Sequence, residues 1–260
     1  MNFQFSIHSK DFIFDAVKNI LSDRGARYTH AIMNPPYKKI SSSSRHRKEL
    51  RKIGIETVNL YSAFLALTIM LMEENGQIVA IIPRSFCNGP YYKPFREFLL
   101  RECSIEHIHV FKSRNSAFKD DGVLQENIIL KIRKGKQENC VVISQSNDGS
   151  FYDYRHNLVQ FHDVVKSNDI ELFIRIPTCE AQADNNIFQA SLSELGLNVS
   201  TGPVVDFRMK RYLQQQLDDN AVPLLYPHHF VNGQLQYPKK HKKPNAIIVS
   251  SESQKWLLPN

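Results

Sequence analysis

The 260-residue chain predicts an α/β domain built on a mostly parallel sheet, followed by a smaller and less regular region. Strand-like and helix-like segments alternate up to about residue 135, which is the pattern of helices layered on a sheet. After about residue 146 the segments shorten, and Pro, Gly and Asn are scattered among them. Hydrophobic residues make up 42% of the chain, enough to supply a core, and charged residues make up 23%, too few to suggest disorder. The division read from this pattern is residues 1–146 as a first domain, 147–190 as a connector and 191–260 as a second domain.

Phe3, Phe5 and Ile7 alternate with polar residues and predict a strand. From Ile13 the period changes, and Ile13, Val17, Ile20 and Leu21 mark one face of a helix. YTHAIM, residues 28–33, reads as a short strand. Residues 38–56, centred on SSSSRHRKELRK, are polar and basic and predict a loop, or a loop with one helical turn. TVNLYSAFLALTIMLMEEN, residues 57–75, predicts a helix stopped by Gly76. QIVAII follows as a buried strand ending at Pro83, then KPFREFLLREC as an amphipathic helix. SIEHIHVF and VLQENIILKI read as strands, and ENCVVISQ is a further strand candidate.

Composition narrows the function. The net charge of +7 favours a polyanionic partner, such as nucleic acid or an acidic membrane surface, over a neutral one, although a soluble protein can be basic without such a role. Cys87, Cys103, Cys140 and Cys179 include no CxxC pair, so neither a zinc site nor a disulfide framework is expected. Free thiols fit a reducing cytoplasm. The pair His228 and His229 has no HxxxH or Cys partner and reads as ordinary surface. No metal is expected. The segment MNFQFSIHSKDF lacks the apolar core of a signal peptide, and the longest apolar run, in LYSAFLALTIMLM, is too short to span a bilayer.

Chemistry concentrates in Asn34-Pro35-Pro36-Tyr37, directly after the YTHAIM strand. Ligands of open α/β sheets bind beyond the carboxyl ends of strands. Both prolines fix φ near −65° and lack an N–H, and each pushes its predecessor toward extended backbone. The segment is therefore stiff and rich in acceptors: the Asn34 side-chain oxygen and the backbone carbonyls. Such acceptors suit an amino group that must donate two hydrogen bonds. Drawing the hydrogens of an aromatic amine out of the ring plane frees its lone pair to attack an electrophilic methyl group, with no ionised base required. Tyr37 offers a flat face, and stacking a base on an aromatic ring contributes roughly 1–3 kcal/mol. A bare proline turn with Tyr37 as a surface anchor is the plainer reading.

NPPY in this setting resembles the catalytic motif of S-adenosylmethionine-dependent amino methyltransferases, in particular adenine-N6 DNA methyltransferases of type II restriction–modification systems. Protein-glutamine and ribosomal-RNA methyltransferases carry similar tetrads. The downstream order narrows the choice: residues 59–86, FREFLLRECSIEHIHVF and FKDDGVLQENIILKIRKG resemble successive units of the DNA-modifying family. The likeness covers roughly residues 8–135 well and 195–258 loosely. It implies that Asn34 and the Pro35 carbonyl hold the target amino group, that Tyr37 and Phe118 sandwich a flipped adenine, and that Asp11 and Phe12 touch the adenine of S-adenosylmethionine. Asp11 also reads as a helix cap, and its spacing to Asn34 is long for the family. Thr29 stands where many members have an aspartate.

The resemblance implies a partial Rossmann-like sheet with its first two strands missing, since no GxG occurs anywhere and only one strand precedes Asp11. The edge of the Tyr28–Met33 strand is then expected to lie unpaired. The tail QKWLLPN looks cut inside a partial target-recognition domain that opens with LNVSTGPVVDFRMKRYL. A fragment, or a chain completed by a second polypeptide, is expected, inactive or nearly so by itself.

Two basic clusters suit a DNA backbone: Lys38, Lys39, Arg45, Arg47, Lys48, Arg51 and Lys52 near the motif, and Lys239, Lys240, Lys242 and Lys243 between two prolines. Solvated charged loops are the alternative. The leading expectation is thus an adenine-N6 DNA methyltransferase acting on double-stranded DNA. The alternatives are a non-catalytic DNA-binding specificity module and a methyltransferase of RNA or protein glutamine.

Overall fold

The computed structural model describes residues 4–22, 27–112, 126–177, 190, 192, 194–197 and 202–258. The chain divides into two compact units, residues 1–188 and 189–260.

The first unit begins irregularly. Residues 4–10 form no strand, and Phe5 and Ile7 stand about nine-tenths exposed. Alternation alone is not sufficient for a strand: the backbone also needs a partner ladder, and this segment has none among the described residues. Helix α1 (Phe12–Ser22) buries Ile13, Ala16 and Val17. Strand β1 (Tyr28–Met33) matches YTHAIM.

Helix α2 (Arg45–Lys52) replaces the expected loop and runs for two turns. Ser44 caps it, its side chain accepting from the Arg47 N–H at 3.2 Å. Only Leu50 is buried, so the segment shows no apolar period in sequence.

Helix α3 (Leu60–Leu71) is apolar almost all round and correspondingly buried. It ends four residues earlier than expected, because Met72 already takes extended backbone and opens strand β2 (Met72–Pro83). Gly76 therefore lies within a strand and does not cap the helix. Pairing with β1 jumps from Tyr28↔Met72 to His30↔Gln77, so residues 73–76 bulge, and Asn75 takes φ 67°. A side chain at Gly76 would meet the Tyr28 carbonyl at 3.1 Å.

Helix α4 (Lys93–Glu102) and strand β3 (Cys103–Phe111) follow, then β4 (Asn127–Lys134), β5 (Cys140–Ser146), β6 (Arg155–Gln160) and the short helix α5 (Phe161–Val164). The sheet order is β1-β2-β4-β3-β5-β6. The sheet is mixed, which corrects the mostly parallel expectation. Only β1–β2 and β3–β5 are parallel, and the other three pairings are antiparallel. The β5–β6 pair is joined by a short link with no helix, which only antiparallel neighbours permit.

One face of the sheet, with Ile78, Ala80, Ile82, Ile128, Leu130, Ile132 and Ile143, joins the helices in a single core. Arg96 on α4 is fully buried; its guanidinium donates to the carbonyls of Phe86 (3.0 Å), Gly89 (2.7 Å) and Glu171 (3.0 and 2.8 Å). Strand β1 lies at the edge of the sheet, as expected, with Ile32 90% exposed.

The second unit holds a three-stranded antiparallel sheet: β7 (Leu213–Gln214), β8 (Ala221–Pro223) and β11 (Ala246–Ile248) in the order β7-β11-β8. A hairpin of β9 (Phe230–Val231) and β10 (Gln234–Leu235) turns at Asn232-Gly233, both with positive φ, as a tight hairpin requires. Met209, Tyr212 and Ile247 form its small core.

Among the described residues no helix is long and apolar enough to cross a membrane, and no His/Cys/Asp/Glu cluster suits a metal. Cys87 and Cys103 are buried, which pushes both thiols up to about 12.

Candidate active site and nucleic-acid interface

The ladder directions place the carboxyl ends of β1, β2, β3 and β5 along one edge of the sheet. Asn34 leaves β1 at that edge. Pro35 is buried, Asn34 and Pro36 are exposed, and Tyr37 is half-buried against the core. The Tyr37 hydroxyl has two acceptors, the Ile81 carbonyl at 3.0 Å and Asn34 Oδ1 at 3.1 Å. It thereby orients the Asn34 amide and ties the loop to β2. Downstream, the Leu60 N–H donates to the Lys38 carbonyl (2.8 Å) and the Ile40 N–H to the Val58 carbonyl (2.9 Å), which fastens the loop to the start of α3. Tyr61 supports the site from below: its ring meets Tyr37 edge-on at 6.2 Å, and its hydroxyl pairs with Ser85 Oγ at 3.1 Å. Burial pushes the Tyr61 phenol far above its ordinary range, so it stays neutral. The arrangement presents a rigid amide oxygen beside an aromatic ring.

Asp11 caps α1. Its Oδ1 accepts from the N–H groups of Ile13 (3.0 Å) and Phe14 (3.3 Å), and its Oδ2 lies 2.7 Å from His46 Nε2 on α2. Partial burial pushes the Asp11 carboxyl up, but the His46 hydrogen bond and the Phe14 and Ile13 N–H groups outweigh it, leaving the group below its usual value. Phe12 packs on Phe64 of α3, ring centroids 4.9 Å apart. Phe118 lies outside the described residues.

The basic residues separate into two kinds. Arg47 and Arg51 both pair with Glu56, and Lys52 pairs with Glu49 at 2.7 Å. The hydrogen bond from Arg51, with help from Arg47, holds the Glu56 carboxyl below its usual range against partial burial. Arg45 lies over the Phe14 ring at 5.8 Å. Lys38, Lys39 and Lys48 are exposed and have no ion pair among the described residues. In the second unit, Lys239 donates to the His228 carbonyl at 3.0 Å, and Lys243 pairs with Asp206 over the Tyr226 ring, while Lys240 and Lys242 stand exposed.

Sequence reasoning missed His46, the partner of Asp11, and Tyr61, the support of Tyr37. It also missed Asn59 and Asn127, whose side-chain carbonyls are buried without a hydrogen-bond partner among the described residues. Asn59 flanks the motif through its bridge to Lys39, and Asn127 pairs with Pro83 at the carboxyl edge. None stands in a pattern: each is one polar residue whose neighbours are distant in the chain.

Residues 4–118 match the family described as Eco57I restriction-modification methylase. The chain is 55% identical over 247 residues to the type II methyltransferase M.BsuBI of Bacillus subtilis, covering 94% of this chain and 49% of that protein. It is 45% identical over 267 residues to the type II methyltransferase M.PstI of Providencia stuartii, covering all of this chain and 53% of that protein. The chain thus spans about half the length of these relatives. Among solved structures, the type IIG restriction endonuclease BpuSI superposes with a TM-score of 0.50 at 16% identity, over 68% of this chain and 23% of that one, a likeness of fold alone. The NPPY loop at the carboxyl edge of the sheet thus falls within the stretch, residues 4–118, that matches the Eco57I restriction-modification methylase family.

Proposed function

We propose that the chain carries the catalytic edge, and part of the target-recognition region, of an adenine-N6 DNA methyltransferase that uses S-adenosylmethionine. The observation that carries this reading is the Asn34 amide, oriented by the Tyr37 hydroxyl at the carboxyl end of β1. Asn34 Oδ1 and the Pro35 carbonyl accept the two hydrogens of the target amine. Pro35 and Pro36 keep these acceptors from relaxing when the amine arrives, so stabilisation is realised as the nitrogen turns tetrahedral. Tyr37 stacks on the base and offsets part of the few kcal/mol that removing it from the duplex costs. Lys38, Lys39, Arg45 and Lys48, with Lys240 and Lys242, hold phosphates.

S-Adenosylmethionine supplies an electrophilic methyl group. The residues present fit its adenine end: Asp11 keeps an ionised carboxylate that accepts from an amino group, beside the Phe12 ring. A cradle for its methionine end is not found among the described residues, so the chain by itself is proposed to have little or no activity.

The test is transfer of labelled methyl to duplex DNA by the chain, supplemented with the part of M.BsuBI outside the match. Label recovered as N6-methyladenine, and lost in Asn34→Ala, is the expected result. Label on RNA or protein glutamine alone would overturn the substrate assignment. Duplex binding with no transfer, indifferent to changes at Asn34 and Tyr37, would favour a non-catalytic DNA-binding module.

A further inference from the structure

The link between β5 and β6, residues 147–154, presents three aromatic side chains within four residues. Tyr152 is 98% exposed, Tyr154 43% and Phe151 41%. Single exposed apolar residues are ordinary on a protein surface, but a cluster held in fixed geometry calls for a partner.

The geometry is fixed in two layers. In the loop, the Asn147 N–H donates to Asp153 Oδ1 and Oδ2 (2.9 and 3.2 Å). The N–H and hydroxyl of Ser150 donate to Asp148 Oδ1 (2.9 and 2.6 Å), and the Tyr154 N–H closes the turn on the Phe151 carbonyl at 3.1 Å. Phe151 itself takes φ 57°, a left-handed conformation costly for an aromatic residue and kept here by these bonds.

Beneath the loop lies His109 of β3, 3% exposed. Its ring nitrogens are engaged by Ser144 (2.8 Å) and Ser146 (3.0 Å). Its ring stacks with Tyr154 at 5.9 Å and 7° and meets Phe151 at 5.0 Å. Burial, with His107 nearby, pushes the His109 imidazole down to about 4, so the pedestal carries no charge at neutral pH. His109 thus holds the rings on either side of Tyr152, and Tyr152 projects from a preorganised backbone, which lowers the entropy lost when the loop is covered.

The loop leaves β5 at its carboxyl end, on the same edge of the sheet as Asn34. Four strand spacings separate β1 from β5, roughly 19 Å. That is the length of about five or six base pairs, so one duplex presented to Asn34 also reaches this loop. Arg155 and His156 follow the aromatics and are exposed. The carboxylates of Asp148 and Asp153 are taken up by the loop's own donors, so the loop offers aromatic faces more than charge.

We propose that residues 151–154 form a second DNA contact, in which Tyr152 packs on a base or sugar of the duplex flanking the target. This inference rests on the reading of double-stranded DNA as the substrate. The test is fluorescence anisotropy with a labelled duplex and the purified chain across a salt series, comparing wild type, Tyr152→Ala, Tyr152→Phe and Lys48→Ala. Because Tyr152 is almost fully exposed, its replacement leaves the fold intact. Tyr152→Ala should weaken binding on the order of tenfold while leaving the slope of log affinity against log salt unchanged, since no counterion is released by an uncharged ring. Tyr152→Phe should bind as wild type, and Lys48→Ala should reduce the slope. Wild-type affinity in Tyr152→Ala, or a loss that comes with a smaller slope, would overturn the aromatic contact and leave the DNA reading standing. Failure of the wild-type chain to bind duplex at low salt would overturn both.

Discussion

The Tyr37 hydroxyl stands 3.1 Å from Asn34 Oδ1, so the motif's aromatic residue also sets the direction of its amide. The same hydroxyl reaches the Ile81 carbonyl, which anchors the pair to β2. Removing only the oxygen separates the two roles of Tyr37. Tyr37→Phe should lower stability by about 1 kcal/mol, the net worth of one hydrogen bond, as read by urea denaturation. It should keep the ring and so keep stacking on a flipped 2-aminopurine. Tyr37→Ala should lose both, with fluorescence of the flipped base rising as the stack is removed.

Asp11 links α1 to α2 through His46. Its folded carboxyl titrates below its ordinary value, so its contribution is complete above about pH 4 and is lost as pH falls through the lowered folded value. Asp11→Ala should flatten that part of the stability–pH curve. It should also cost about 1 kcal/mol at neutral pH through the lost helix cap. Chemical denaturation at several pH values checks both.

Arg96 is the buried group with most to lose. Its guanidinium satisfies three carbonyls and lies 5.1 Å from the Phe173 ring. Arg96→Met should destabilise by roughly 3–5 kcal/mol, because the carbonyls are left buried and unpaired. Arg96→Lys should recover little of this, since an ammonium cannot donate in the same planar fork. Urea midpoints report the loss.

Calorimetric titration of S-adenosylmethionine into the chain should give a dissociation constant weaker than about 1 mM, less than roughly 4 kcal/mol of binding. Any heat above dilution should vanish in Asp11→Ala. Micromolar binding would show that the chain builds a complete cofactor site.

The sequence was most legible where local and tertiary preferences agree. YTHAIM became β1 without change, and KPFREFLLREC became α4. It misled where packing overrides propensity. Glu73, Glu74 and Gly76 read as a helix end, yet pairing with β1 draws the chain into a strand from Met72. Strand β6 was not visible because only Val159 of its six residues is buried. The strands of the second unit, two or three residues long, leave no period to detect. At the site, the residue types of the motif could be read directly. The bond between Tyr37 and Ile81 joins positions 44 apart and is a product of the fold.

The open edge of β1 has a practical consequence. Among the described residues nothing pairs with its outer edge, and Ile32 stands exposed, so the backbone is a template for an added strand; one added parallel to β1 would end beside Asn34. Whatever covers this edge therefore also borders the NPPY loop, and hydrogen exchange at the β1 amides would report its arrival.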